Sequence, residues 1–174
     1  MDNIFTAGEP QDIAAVLENK DARSELQAKL LADYPTSTLV AIKLNIPGPI
    51  KNNLMITKLF DYGTERLFPA LSYQKQLSWD NATGPEMFLV YDVSGEVVKQ
   101  QAVAFEDGSK LGRLFDIDVL DQAHGHYSRR ELGKQPRTCL ICDQNAKECA
   151  RSRKHSVAEL QAAINAVYNE VFNG

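Results

Sequence analysis

The segment from Leu111 to Leu120, LGRLFDIDVL, constrains this chain more than any other. Phe115, Ile117 and Val119 alternate with Leu114, Asp116, Asp118 and Leu120, which is the period of a β-strand. A strand therefore places Asp116 and Asp118 on one face, two residues apart. Unpaired, the two carboxylates repel each other and sit badly beside apolar neighbours. A divalent cation relieves that repulsion, and Mg²⁺ favours a site of one or two carboxylates completed by water and substrate phosphates. The simpler alternative is a solvated strand face on which acids alternate with apolar residues.

Charge along the chain gives the acidic pair a context. The 174 residues carry a net charge of -4, so the chain as a whole is not a basic nucleic-acid binder. Between Arg129 and His155, however, eight Lys and Arg residues face three acids, a net of +5 that leaves -9 for the rest. Positive charge thus directly follows the Asp-x-Asp strand, the order expected where metal and phosphate meet. Strands of this type hold the metal in nucleotidyltransferases of the polymerase-beta kind. Their Gly-Ser lies farther upstream of the acids than Gly108-Ser109 does here.

Length and an apolar fraction of 44% suit one compact domain over residues 1–174, of α/β or α+β type. Helical spacing runs from Gln11 to Asp33 and stops before Pro35. Thr38–Leu44 reads as a buried strand, and Asn45-Ile-Pro-Gly-Pro as a rigid loop. Leu54 to about Leu71 is helical in pattern. No element is assigned between there and Glu86–Val93, a second strand. Glu96–Asp107 favours helix. Asp143 is placed as the N-cap of a helix reaching about Arg153, with Lys147, Arg151 and Lys154 along one face. Ser156 and Glu159 form a capping box opening a C-terminal helix. The expected architecture is a mixed sheet flanked by helices.

Cys139, Cys142, Cys149 and His155 have the residue types and compactness of a zinc site. The alternative is three reduced thiols used as small apolar residues. Three cysteines do not make a secreted disulfide framework, the first residues lack the pattern of a signal peptide, and no apolar run is long enough to span a bilayer. A cytoplasmic protein is expected, with neither membrane nor nucleic acid as partner. Tyr127 is the only aromatic residue between Asp121 and Ser156, which weakens nucleic-acid binding further.

Several motifs together resemble one family. Gly112-Arg-Leu-Phe-Asp-Ile-Asp-Val119, Ser128-Arg-Arg-Glu-Leu-Gly133, Arg137-Thr-Cys-Leu-Ile-Cys142 and Ala146-x-x-Cys-Ala-Arg-Ser-Arg-x-His-Ser156 are similar to the citrate lyase holo-acyl-carrier-protein synthases. Asn45-Ile-Pro-Gly-Pro-Ile-Lys51, Phe60 and Thr83-Gly-Pro85 fit as well, whereas the first 35 residues fit only as a generic helix. The resemblance implies a nucleotidyltransferase-like fold. It implies transfer of a prosthetic group from 2'-(5''-triphosphoribosyl)-3'-dephospho-CoA to a serine of the citrate lyase acyl carrier protein (gamma subunit), with release of diphosphate.

On that basis Asp116 and Asp118 are expected to be catalytic through Mg²⁺, and Arg113, Arg151, Arg153 and Lys51 to bind phosphate. Arg129 and Arg137 are further phosphate candidates, and His155 and Asp121 are candidates for the general base. Two other readings compete: a non-enzymatic zinc module that binds acidic protein or nucleic acid through residues 129–155, and a related nucleotidyltransferase serving a malonate decarboxylase carrier.

Overall fold

The computed structural model describes residues 1–174. Helix α1 (Ile13–Asp33) is capped by Asp12, whose carboxylate accepts the Ala15 N–H. Strand β1 (Thr38–Leu44) is buried along nearly its whole length because it lies in the middle of a five-stranded sheet. Around it come helix α2 (Leu54–Thr64), hairpin strands β2 (Tyr73–Asn81) and β3 (Gly84–Tyr91), helix α3 (Gly95–Gly108), strand β4 (Phe115–Asp121) and the two-residue strand β5 (Gly125–His126). Helices α4 (Ala146–Ser152) and α5 (Val157–Asn173) end the chain.

Sheet order is β2-β3-β1-β4-β5, and every pairing is antiparallel. The fold is α+β as expected, but the sheet is not mixed. Strands β3 and β4 run parallel to each other across the α3 connection, yet β1 fills the slot between them and opposes both. Strand β2 is the element missed in the sequence. It is an edge strand with no buried residue, and only Leu77 and Trp79 turn inward, so its pattern carries little hydrophobic signal.

Register divides β1 between two faces. Val40, Ile42 and Leu44 join a core of 21 buried residues with α2, α3 and α5, which makes this face the main source of stability. Phe60 and Phe115 stack at its centre. Leu39 and Ala41 face the other way, into a cluster of only six buried residues beneath Leu30 of α1. That half-filled face leaves room for charged side chains at the end of the sheet beside Lys43. Helix α1 departs from its sequence pattern accordingly. Leu26, Leu30 and Leu31 pack on the sheet, while Ile13, Val16 and Leu17 are exposed.

Gly63 marks the tightest approach in the main core. A Cβ there would lie 2.1 Å from the Phe115 ring. Gly63→Ala is expected to destabilise the protein by about 2 kcal/mol through overpacking, read from the urea denaturation midpoint. An unchanged midpoint would mean that the Phe115 ring moves freely.

The C-terminal helix begins as expected. Ser156 Oγ accepts the Glu159 N–H, and Glu159 Oε2 accepts the Ser156 N–H. The preceding helix is shorter than expected. Its cap is Asn145, not Asp143, because the Asn145 side chain accepts the Lys147 N–H. It ends at Ser152, and Arg153 adopts a left-handed conformation with φ 52°. Lys154 consequently lies past the helix and does not extend the face shared by Lys147 and Arg151.

Candidate functional site

Asp116 and Asp118 project from β4 onto the face of the sheet that carries α1, as the alternation requires. The register sets Glu86, Lys43 and Asp116 side by side across β3, β1 and β4, a row of alternating charge. Lys43 Nζ lies 3.4 Å from Asp116 Oδ2, and Arg137 Nη1 lies 3.7 Å from Asp116 Oδ1. Asp116 thus has two cationic neighbours. Asp118 has none within 4 Å and accepts no hydrogen bond. Burial and the charge of Asp116 push its carboxyl above the ordinary carboxylate range. Lys99, His126 and Lys43 oppose that shift only in part, and the two carboxylates offer the hard oxygen donors that a divalent cation takes.

The free edge of β4 is closed by side chains, since β5 pairs only at Leu120 and Asp121. Glu106 accepts the Ile117 N–H and Lys99 donates to the Ile117 carbonyl at 3.2 Å. Burial raises the Glu106 carboxyl, and Arg137, Arg129 and Lys99 oppose that shift. Arg129 is committed to this network. It bonds both carboxylate oxygens of Asp107, the Glu106 carboxylate and the Gln135 carbonyl, and so ties its loop to α3. Arg137 spans Glu106 and Asp116 and donates to the Arg113 carbonyl at 2.8 Å.

Arg113 links the acidic strand to the cysteine loop. Its Nη1 donates to the carbonyls of Thr138 and Cys139 at 3.1 and 2.9 Å. Beyond it, Cys139, Cys142, Cys149 and His155 converge, and their ligand atoms all lie within 4.8 Å of one another. A tetrahedral zinc with bonds of about 2.3 Å to sulfur needs sulfurs about 3.8 Å apart, so the quartet fits a metal with little movement. His155 Nε2 is 3.4 Å from the Cys142 sulfur and lowers that thiol's pKa. Burial, reinforced by the neighbouring thiols, raises that of Cys149. A metal cation removes the repulsion between such thiolates.

This quartet also lies at the centre of a segment with little buried surface of its own, in which Tyr127 and Leu140 pack on the main core. Cys139 and Cys149 are the only buried residues from 122 to 156. His155 lies among the thiols, where its ring faces the Cys142 sulfur. Asp121 is likewise occupied: it accepts the Tyr127 hydroxyl at 2.6 Å and the His124 N–H at 2.6 Å. Burial acts to raise its carboxyl, and these hydrogen bonds outweigh it and hold the pKa low. Arg151 and Arg153 are exposed and make no ion pair, and no contact joins them to the two aspartates.

Lys51 lies on the α1 face instead. It donates to the Ile46 carbonyl at 2.6 Å and lines a cleft with Lys43, Arg23 and Asn19. Arg23 and Asn19 hold the carboxylate of Glu86, which is 3% exposed. These α1 residues and Lys43 are absent from the sequence-derived site. The one available signal was a lysine inside the otherwise apolar run TLVAIKL.

The family model described as apo-citrate lyase phosphoribosyl-dephospho-CoA transferase matches residues 11–171. The chain belongs to this family. A probable apo-citrate lyase phosphoribosyl-dephospho-CoA transferase of Streptococcus pyogenes is 36% identical over 175 residues, covering 97% of this chain and 91% of that protein. The apo-citrate lyase phosphoribosyl-dephospho-CoA transferase of Citrobacter koseri is 32% identical over 163 residues, covering 91% and 88%. Protein CitXG of Leuconostoc mesenteroides is 39% identical over 166 residues, covering 92% of this chain and 36% of that longer protein. Family membership includes α1, which in sequence fitted only as a generic helix. No helix of this transferase-family chain is long and apolar enough to cross a membrane.

Proposed function

We propose that the chain transfers the 2'-(5''-phosphoribosyl)-3'-dephospho-CoA group from 2'-(5''-triphosphoribosyl)-3'-dephospho-CoA to a serine of the citrate lyase acyl carrier protein (gamma subunit). Family membership across residues 11–171 carries this reading. The carboxylate pair bordered by Lys43 and Arg137 supports it chemically. The serine oxygen bonds to the phosphorus next to the ribose. The bond from that phosphorus to the terminal diphosphate breaks, the diphosphate leaves with the electron pair, and the serine proton passes to water. The carrier is left with a phosphodiester.

Asp116 and Asp118 would hold Mg²⁺, which supplies positive charge against the phosphate oxygens and the departing diphosphate. Lys43 and Arg137 flank Asp116 and hold its carboxylate in place. Catalysis in this arrangement is positioning and charge neutralisation. Lys51 and Arg113 border separate recesses and are assigned to phosphates. Arg151 and Arg153, unpaired at the surface, are further phosphate ligands and give an acidic carrier a positive face to meet.

Cys139, Cys142, Cys149 and His155 are assigned to a structural Zn²⁺. Residues 1–174 act as one transferase domain, and three cysteines without a disulfide suit the reducing cytoplasm. The test is to mix the protein with Mg²⁺, the triphosphoribosyl donor and apo-carrier, and to weigh the carrier. A mass gain of one prosthetic group is expected, and its absence overturns the assignment.

A further inference from the structure

A cleft of about 160 Å³ opens between α1, the end of β1, the Asn45–Lys51 loop and the β2–β3 turn. Three of its lining residues are cations: Arg23, Lys43 and Lys51. Its one acid is Glu86, whose carboxylate already accepts from Arg23 and Asn19. The wall therefore carries a net charge of +2. Lys51 is pressed toward its neutral form by burial and by the charge of Lys43. Like charges held together in a recess are relieved by an anion, and each lysine has donors to spare. An ammonium group has three N–H bonds, and Lys51 uses one of them on the Ile46 carbonyl.

Size and position narrow the class of anion. Pockets for drug-sized ligands run from about 300 Å³ upward, so this recess takes a small group and not a whole nucleotide. Lys43 belongs to the cleft and also lies 3.4 Å from Asp116, which places the recess beside the carboxylate pair. The loop that supplies Lys51 is rigid. Gly48, at φ 83°, turns it, and Gln161 of α5 donates to the Pro47 carbonyl at 3.2 Å. We infer that this cleft binds the terminal diphosphate of the donor's triphosphate, with Lys43 and Lys51 as its ligands and Arg23 with Asn19 forming its wall. The inference rests on the transfer reading above. It gives α1 a part in substrate binding, and it puts the leaving group beside Lys43, which also meets Asp116.

The test uses the full chain and inorganic diphosphate, alone and with Mg²⁺, in a calorimetric titration. One diphosphate per chain is expected. Lys43→Gln and Lys51→Gln should each weaken it about tenfold or more, while Lys20→Ala, at an exposed position of α1, leaves it unchanged. Amine acetylation of the unaltered protein, read by mass spectrometry, covers the case in which a variant misfolds. Diphosphate should protect Lys43 and Lys51 and leave Lys20 and Lys147 as reactive as before. Protection at Lys147 in place of the cleft lysines, or no binding of diphosphate at all, overturns the site. The same preparation is carried through the carrier-mass assay. Protection of Lys43 and Lys51 without a mass gain sinks the transfer reading and keeps the anion site. A mass gain without protection keeps the transfer and sinks the cleft.

Discussion

Asp118→Asn is expected to lower the transfer rate by about a thousandfold without lowering the stability of the fold. The two effects separate because Asp118 is a partly buried carboxylate with no cationic partner within 4 Å. Its charge serves a ligand and costs the folded chain something. In the folded state burial and Asp116 raise its pKa above the ordinary value of 3.8, so the folded chain binds this proton more tightly than the unfolded chain does. Ionisation of Asp118 therefore destabilises the fold at neutral pH, and the penalty is relieved as pH falls through the raised value. Without added Mg²⁺, the denaturation midpoint of Asp118→Asn should exceed that of the unaltered protein at pH 7, and the gap should close in acid. Asp116→Ala should abolish transfer as well, with a stability change within about 1 kcal/mol because the ion pairs it loses are partly exposed. Full activity in either variant would remove the metal assignment from this strand.

Removal of metal from the cysteine quartet should loosen residues 137–156 while the sheet survives. The purified protein is expected to hold one zinc per chain by elemental analysis. A zinc chelator, or Cys142→Ser, should speed amide hydrogen exchange in this segment by at least about a hundredfold, with β1 and β3 unchanged. The reason is the poverty of its core: from 122 to 156 only Cys139 and Cys149 are buried. A segment that buries two thiols and packs only Leu140 and Tyr127 on the main core has a small hydrophobic term to set against its chain entropy, and a bound metal would add to it. Loss of order there frees the Thr138 and Cys139 carbonyls that hold Arg113, and releases Arg137 from Asp116. Transfer should slow in parallel. Substoichiometric zinc together with unchanged exchange would return the cysteines to the role of small apolar residues.

The parts of this molecule that can be read along the chain are those whose cause is local. The alternation places Asp116 and Asp118 on one face whatever the strand pairs with, and the structure shows them there, although the strand begins only at Phe115 and Gly112–Leu114 form a 3-10 turn before it. The capping box at Ser156 and Glu159 acts within four residues, so it too is visible in sequence. Where several residues compete for one role, local reading is weaker. Asn145 took the cap expected of Asp143, and Ile13, Val16 and Leu17 kept helical spacing without reaching a core. Helical spacing says that a face exists; only packing says what covers it.

Pairing across the sheet decided the rest. Lys43 reads as an interruption in an apolar strand until register sets it between Glu86 and Asp116. Arg23 reads as one charge on a polar helix until α1 lies over that row and Glu86 meets it. The same holds for the basic block. Its +5 follows the Asp-x-Asp strand in sequence, and the fold distributes it: Arg129 pairs with Glu106 and Asp107, Arg113 and Arg137 bond backbone carbonyls, and Arg151 and Arg153 lie at the surface. The sequence by itself determined the acidic pair, the four candidate metal ligands and the family, because residue type and short spacing carry those. Which cations face the aspartates was settled only by tertiary structure, because contact between strands and helices distant in sequence depends on register and layer order, and neither leaves a local trace.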